Sequence, residues 1–540
     1  MIPDLILTNA RIRTMDPTRA RAEALAVAGG RILALGTSAD MRALAGHGTE
    51  VIDAGGRLVL PGFQDAHVHL LDGGTDLVAS AQLYDATDAA SLQAALAAHA
   101  TRTSLPLVQG SGWQAGTFGD ANLTAAVLDV AVPDRPCLAY DSSFHNACLN
   151  SAALAMAGIT RDTPDPPNGH IVRDVAGNPT GMLHEDAIPW ARERLPAFPD
   201  SLFTDGARAA QAHANRNGIT GVLDPRIVDY NATAYAELAA QGALTLRVAG
   251  AALVTPSDTA ETALTRLCAF RNAHPGPDFH VQSAKFFFDG VLENYTAAML
   301  APYADTGGNA PVMFTADQTR ALFTALDAAR FQIHVHVIGD AAARAALDGI
   351  EQAMATNGRW PARHQLAHLQ VLHEGDIPRL AALGATANIQ PLWACHDPVV
   401  PDLWMDTVGP ARLPLTYAFR RMLDAGADWC LSSDWPVTTL NPFAIIQTAV
   451  TRQPPGGTKA PFFPAERLTV EEVVEGYTTR AAAACWREGF TGTLRPGFSA
   501  DVIVLDRDIF SIPAEAIGDT TVLLTLFKGA EVWRAPDWRG

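Results

Sequence analysis

Leu58-Val-Leu-Pro-Gly-Phe-Gln-Asp-Ala-His-Val-His69 is the stretch on which the reading of this chain turns. A short apolar, β-favouring run meets a turn signal at Pro61-Gly62 and then delivers two histidines two residues apart. On an extended strand residues i and i+2 share a face, so His67 and His69 can grip one metal ion; on a solvated loop the same pair would carry no chemistry. What decides between these readings is whether the rest of the chain brings further ligands to the same place.

Upstream of that stretch, residues 4–14 and 23–35 read as strands, the latter broken at Gly29-Gly30 as a hairpin is. Residues 500–506 and 522–533 match them at the far end. This pattern predicts a small flanking β-sandwich built from both chain ends, residues 1–60 plus 485–540. Between 61 and 484 strands alternate with Ala-rich helical stretches at 89–101, 204–217, 315–329, 341–355 and 374–383, the texture of parallel βα units. Strand candidates at 105–109, 136–140, 221–223, 280–288, 332–337, 365–368, 385–390 and 429–433 predict an α/β fold with a distorted (β/α)8 TIM barrel. A Pro- and Gly-rich segment at 160–181 reads as part of an inserted loop region near 150–200, where such insertions shape a pocket mouth.

Composition narrows the function. With 540 residues, 48% hydrophobic and 18% charged, the chain has material for one large domain and a smaller one. A formal charge of −18 argues against a nucleic-acid partner, because phosphate backbones demand clustered Lys and Arg. The six cysteines are scattered without a Cys-x-x-Cys pair, so thiolate zinc knuckles and disulfide frameworks are not expected. The N-terminus lacks a basic, then apolar, leader pattern, and no apolar run approaches the roughly 20 residues of a membrane span. A cytoplasmic protein without membrane partners is the expectation.

Barrel active sites gather at the carboxyl ends of the strands, and four more candidates sit there. Lys285, among the phenylalanines of Ser283-Ala-Lys-Phe-Phe-Phe-Asp289, is costly unless neutralised or paired. It is read either as a carbamylated lysine bridging two metals or as the ion-pair partner of Asp289. His334 and His336 share a face, so either can be the ligand, and His336 is favoured because it lies nearer the strand end. His368 closes another strand. Asp434 follows Leu431-Ser-Ser433 and alone would read as a helix cap or turn residue. For the pocket, Trp113 and His145 follow strands and are candidate substrate contacts, Trp113 equally a packing residue. Tyr417 and Arg420 are candidates to bind a carboxylate or carbonyl, Arg420 otherwise a solvated helix charge. Phe286, Phe288, Trp393 and Trp404 would make the pocket apolar if they face inward.

The order of these blocks resembles the amidohydrolase superfamily, in particular the branch containing YtcJ-like proteins and N-substituted formamide deformylases. The resemblance rests on Pro61-Gly-Phe-x-Asp-Ala-His-x-His69, Lys285-Phe-Phe-Phe-Asp-Gly290, His336-Val-Ile-Gly-Asp340, Arg363-His-x-x-x-His368, Ser433-Asp-x-Pro436, Tyr477-Thr478 and Gly497-x-x-Ala-Asp501. It implies one or two divalent metal ions, zinc the best match, held by His67, His69, carbamylated Lys285, His336, His368 and Asp434. The implied reaction is hydrolysis of a C–N bond other than a peptide bond in a protein, by metal-activated water with Asp434 as general base. The implied partners are a small-molecule substrate and a second copy of the chain in a homodimer. Val291-Leu-Glu-Asn-Tyr-Thr296 departs from the branch's commoner Ser-Arg-Thr-like run and leaves the substrate open. Alternatives are a deaminase or an ester or lactone hydrolase on the same scaffold, and a non-catalytic amidohydrolase-like binding protein. A deaminase fits less well, since no His-x-x-Glu helix motif stands between the barrel strands.

Overall fold

Leu58–Pro61 and Phe63–Asp65 are two strands of two different sheets, separated by Gly62 alone. A side chain at Gly62 would meet the Thr220 hydroxyl oxygen at 2.3 Å, so only glycine lets the chain pass this close while changing sheets. In the computed structural model, which describes all residues except 115, 119–121, 397–401 and 403, this crossing joins the two main parts of the molecule.

Phe63–Asp65 is the first stave (β1) of an eight-stranded parallel sheet. The others are β2 (Ile219–Ile227), β3 (Arg247–Leu253), β4 (Phe279–Phe287), β5 (Gln332–Val337), β6 (Gln365–His368), β7 (Thr386–Ile389) and β8 (Asp428–Leu431). The ring closes between its ends: Ala66 N–H donates to Leu431 O at 3.1 Å and Asp434 N–H to His67 O at 2.9 Å. Helices such as Asp200–Arg216, Ala316–Ala328 and Asp340–Asn357 surround it. Their starts follow local chemistry: the Thr315 hydroxyl accepts the Gln318 N–H at 3.3 Å while Gln318 returns a bond to the Thr315 N–H at 2.9 Å. Strand alternation sends Phe286 and Phe288 outward against Phe314 and Phe323, and Lys285 and Phe287 inward.

The chain ends build a two-sheet sandwich beside the barrel. One sheet runs 31–36, 24–28, 5–8, 50–53; the other runs 530–534, 522–527, 502–505, 58–61, 11–13, 21–22. Leu5, Leu7, Ile12, Leu25, Val502, Val504, Leu524 and Leu526 share its core.

Two expected staves belong elsewhere. The runs at 105–109 and 136–140 do form strands, Val108–Trp113 and Cys137–Asp141, but these pair in a separate six-stranded sheet with Ser80–Gln82, Asn146–Leu149, Gly169–Arg173 and Pro179–Glu185. A short apolar strand followed by an Ala-rich helix has the same local pattern in either sheet, since its partners are not written nearby. The true third stave, Arg-Val-Ala-Gly-Ala-Ala-Leu253, hid because its Ala and Gly content does not favour a strand. The inserted sheet, between β1 and β2 in the chain, forms a roof over the barrel mouth, because one cavity is lined from both. Among the described residues, no helix is long and apolar enough to cross a membrane.

Candidate active site

His67, His368 and Asp434 each offer a ligand atom, all within 4.8 Å of one another, at the carboxyl ends of β1, β6 and β8. His67 Nε2 is 3.3 Å and His69 Nε2 3.5 Å from Asp434 Oδ1. The His336 ring stands 4.5 Å from that of His368, centroid to centroid. Lys285 is wholly buried, its Nζ 4.5 Å from the Phe287 ring centre. Of the ten residues proposed from sequence, nine line the cavity: His67, His69, Trp113, His145, Lys285, His336, His368, Tyr417 and Asp434.

Arg420 is the exception. It lies on the helix Phe419–Asp424, away from the cavity, with its guanidinium 2.5 Å from Glu472 and 3.2 Å from Asp424. A charge on an amphipathic helix is satisfied by whatever acids lie in reach, here Asp424 one turn along its own helix and Glu472 on another.

The candidate ligands are held by groups behind them. Asp65 accepts the His67 N–H at 3.2 Å and the Ser433 N–H at 3.1 Å, tying the first and last staves together under the site. His334, one layer below His336, reaches His67 Nδ1 with its Nε2 at 2.8 Å. Gln390, just beyond β7, accepts from His368 Nδ1 at 3.0 Å. Backbone strain collects here too: His368 and Asp434 have φ of 79° and 56°, left-handed values that cost roughly 1–3 kcal/mol each in non-glycine residues.

The electrostatics suit a cation. Burial first, and then the charge on Lys285, hold His67, His69 and His336 well below the ordinary histidine value, so each presents a neutral nitrogen. Burial draws the Lys285 amine down and pushes the Asp434 carboxyl up, each partly opposed by the charge of the other. Three polar atoms meet here without a hydrogen-bond partner among the described residues: His67 Nε2, Lys285 Nζ and Asp434 Oδ1. Buried polar atoms left unpaired are costly, and imidazole nitrogens with carboxylate oxygens are the donors a zinc-like ion takes. The residues therefore fit a divalent metal.

The roof supplies the opposite wall. His145 Nδ1 lies 2.7 Å from Glu185 Oε2, and its ring 5.6 Å from that of His336. Burial works against a charge on His145, but Glu185 outweighs it and pushes the imidazole up to about 9. Trp113 packs edge-on to Phe118 at 6.1 Å, and Tyr417 edge-on to Trp404 at 6.0 Å. Trp393 stacks on His368 at 5.0 Å. The whole cavity measures about 1640 Å³. Gln390 and Glu185 were not singled out as site residues by the sequence, and His334, read as the alternative ligand to His336, stands behind His67 instead. Gln390 left a legible trace, a polar residue closing a strand candidate, whereas the partner of His145 comes from a strand forty residues away.

The fold and the site together define a barrel scaffold with a candidate metal site at its mouth. The chain belongs to the amidohydrolase family, whose model matches residues 50–533. It is 30% identical over 495 residues to the putative amidohydrolase YtcJ of Bacillus subtilis, covering 90% of each chain. It is 28% identical over 552 residues to the N-substituted formamide deformylase of Arthrobacter pascens, covering 97% of each. Among solved structures, an uncharacterized metal-dependent hydrolase from Pyrococcus horikoshii matches with a TM-score of 0.76 at 23% identity, over 94% of this chain and 99% of that one.

Proposed function

We propose that this protein hydrolyses an amide-type C–N bond in a small molecule, using His67, His69, Lys285, His336, His368 and Asp434 to hold one or two divalent cations, most simply zinc. The observation that carries the reading is the convergence of ligand atoms from β1, β6 and β8 on one buried point, with Lys285 Nζ unpaired beside it. A cation held there would polarise a substrate carbonyl and lower the pKa of a coordinated water from about 15.7 to near 7.

The chain's own residues do the rest. Burial favours the neutral Lys285 amine, which adds to carbon dioxide with loss of a proton and becomes a carboxylate ligand. Asp434 accepts a proton from the attacking water and returns it to the leaving nitrogen. His145, kept protonated by Glu185 on one nitrogen, has its Nε2–H left to donate to the substrate oxygen as negative charge grows there. The roof closes the cavity over the reacting atoms and limits access of bulk water.

N-substituted formamides are the first compounds to test, following the name of the Arthrobacter relative. Protein produced with zinc should carry metal and cleave them; metal-free protein with full activity overturns the proposal. Asp434→Asn should keep metal yet lose at least about a hundredfold in turnover. A fully active variant removes Asp434 from the proton transfer.

A further inference from the structure

Glu293 stands in the run Val291-Leu-Glu-Asn-Tyr-Thr296, between β4 and the helix Ala316–Ala328. The run is a tight loop. Gly290 N–H donates to Thr296 O at 3.0 Å, Thr296 N–H returns to Val291 O at 3.0 Å, and Val291 N–H donates to the Thr296 hydroxyl at 2.9 Å. Two further bonds pin it to the roof. The Thr296 hydroxyl donates to Glu185 Oε1 at 2.7 Å and the Asn294 amide to Asn146 Oδ1 at 2.9 Å. Gly290 permits the approach, since a side chain there would meet Glu185 Oε1 at 2.5 Å. Glu293 is thus presented from a fixed loop into the cavity it helps to line.

Among the described residues its carboxylate takes a bond from its own backbone N–H and has no cationic side chain paired with it. The neighbouring charges are already matched. His145 is taken by Glu185. Asp141 accepts from Ser143 at 2.8 Å and from Asn146 at 2.7 Å. Asp72, at the far edge, accepts from Tyr230 at 3.2 Å and lies 3.6 Å from Arg226. Glu293 is exposed into the cavity; the protein around it pushes its carboxyl above the ordinary value, opposed by its own backbone N–H and by His145, with Asp141 adding to the rise. Tyr417 stands close enough for its phenol to feel the Glu293 charge. A negative charge held on a pinned loop, facing a cavity and without a cationic partner, is a receptor for a positive one.

We infer that Glu293 selects substrates bearing a cationic nitrogen away from the scissile bond. The inference rests on the hydrolase reading for what occupies the cavity, but it can be read by binding alone. Choline and 3,3-dimethylbutan-1-ol have the same shape and differ in charge, and the quaternary nitrogen cannot ligate a metal. Calorimetric titration of zinc-loaded protein should give binding at least about tenfold tighter for choline. Glu293→Gln should bring the two affinities together, with the thermal transition unchanged to show that the loop still folds. Equal affinities in the wild type, or a preference undiminished in Glu293→Gln, overturn the inference. The matching formamides, N-(2-trimethylammonioethyl)formamide and N-(3,3-dimethylbutyl)formamide, give the kinetic counterpart. The ratio of their kcat/KM values should fall about tenfold in Glu293→Gln. If loaded protein cleaves neither formamide nor any other amide, the hydrolase reading fails, while the choline preference still decides the role of Glu293.

Discussion

The 2.8 Å pairing of His334 with His67 Nδ1 determines which nitrogen of His67 is left facing Asp434. Groups behind a metal ligand fix its ring and tautomer, and losing one typically costs 10–100-fold in metal affinity. His334→Ala is accordingly expected to weaken zinc binding by about tenfold or more in a chelator competition, and an unchanged affinity would refute this role. At this scale the sequence is legible wherever periodicity is enough. His67 and His69 share a face because strands alternate, and Lys285 betrays itself as a cation among phenylalanines. His334 and His336 share that same alternation, so only the depth of each along β5 separates support from cavity wall. Arg420 was illegible for another reason. Its partner Glu472 lies on a different helix, and that helix arrives only through tertiary packing.

The inserted sheet is the element whose local pattern misled most. Its strands and the helix that follows resemble one more βα unit of the barrel, yet it contributes the His145–Glu185 pair to the cavity wall. That pair has a pH signature. The folded-state value of His145 is raised to about 9, so its charge, and the stability gained from the pairing, are present below the ordinary histidine range and are lost as pH rises through 9. In Glu185→Gln the largest of the charges that oppose burial is gone, with Asp141 and Asp434 left, and the imidazole should lose its proton at lower pH. If His145 assists turnover, the alkaline limb of the kcat/KM profile should move toward acid by at least about one pH unit. A limb that stays in place would mean that His145 only shapes the wall.

For the molecule as a whole, the sandwich and the barrel are joined by a buried charge pair. Arg247, at the start of β3, bonds Asp501 of the C-terminal part, and Asp501 also accepts from Thr491 at 2.9 Å and from the Lys528 N–H at 3.0 Å. Removing one partner of such a pair strands the other charge and typically costs 3–5 kcal/mol. Asp501→Ala should lower stability by about that amount in urea unfolding and leave turnover per folded molecule intact, because the pair lies outside the cavity lining. A loss of turnover without a loss of stability would point instead to coupling between the sandwich and the site. The joint was half legible: Gly497-x-x-Ala-Asp501 stood out as a motif, but its partner sat in the one stave the sequence did not reveal. The roof carries a different lesson, about how such a protein can change over generations. The candidate ligands come from the ends of separate staves, so moving any one of them disturbs the ring itself. The roof is a single uninterrupted segment, residues 80–185, spliced between the first stave and the second. Heredity can exchange or reshape that segment in one event, changing the wall that faces the candidate ligands while leaving the ring that holds them untouched.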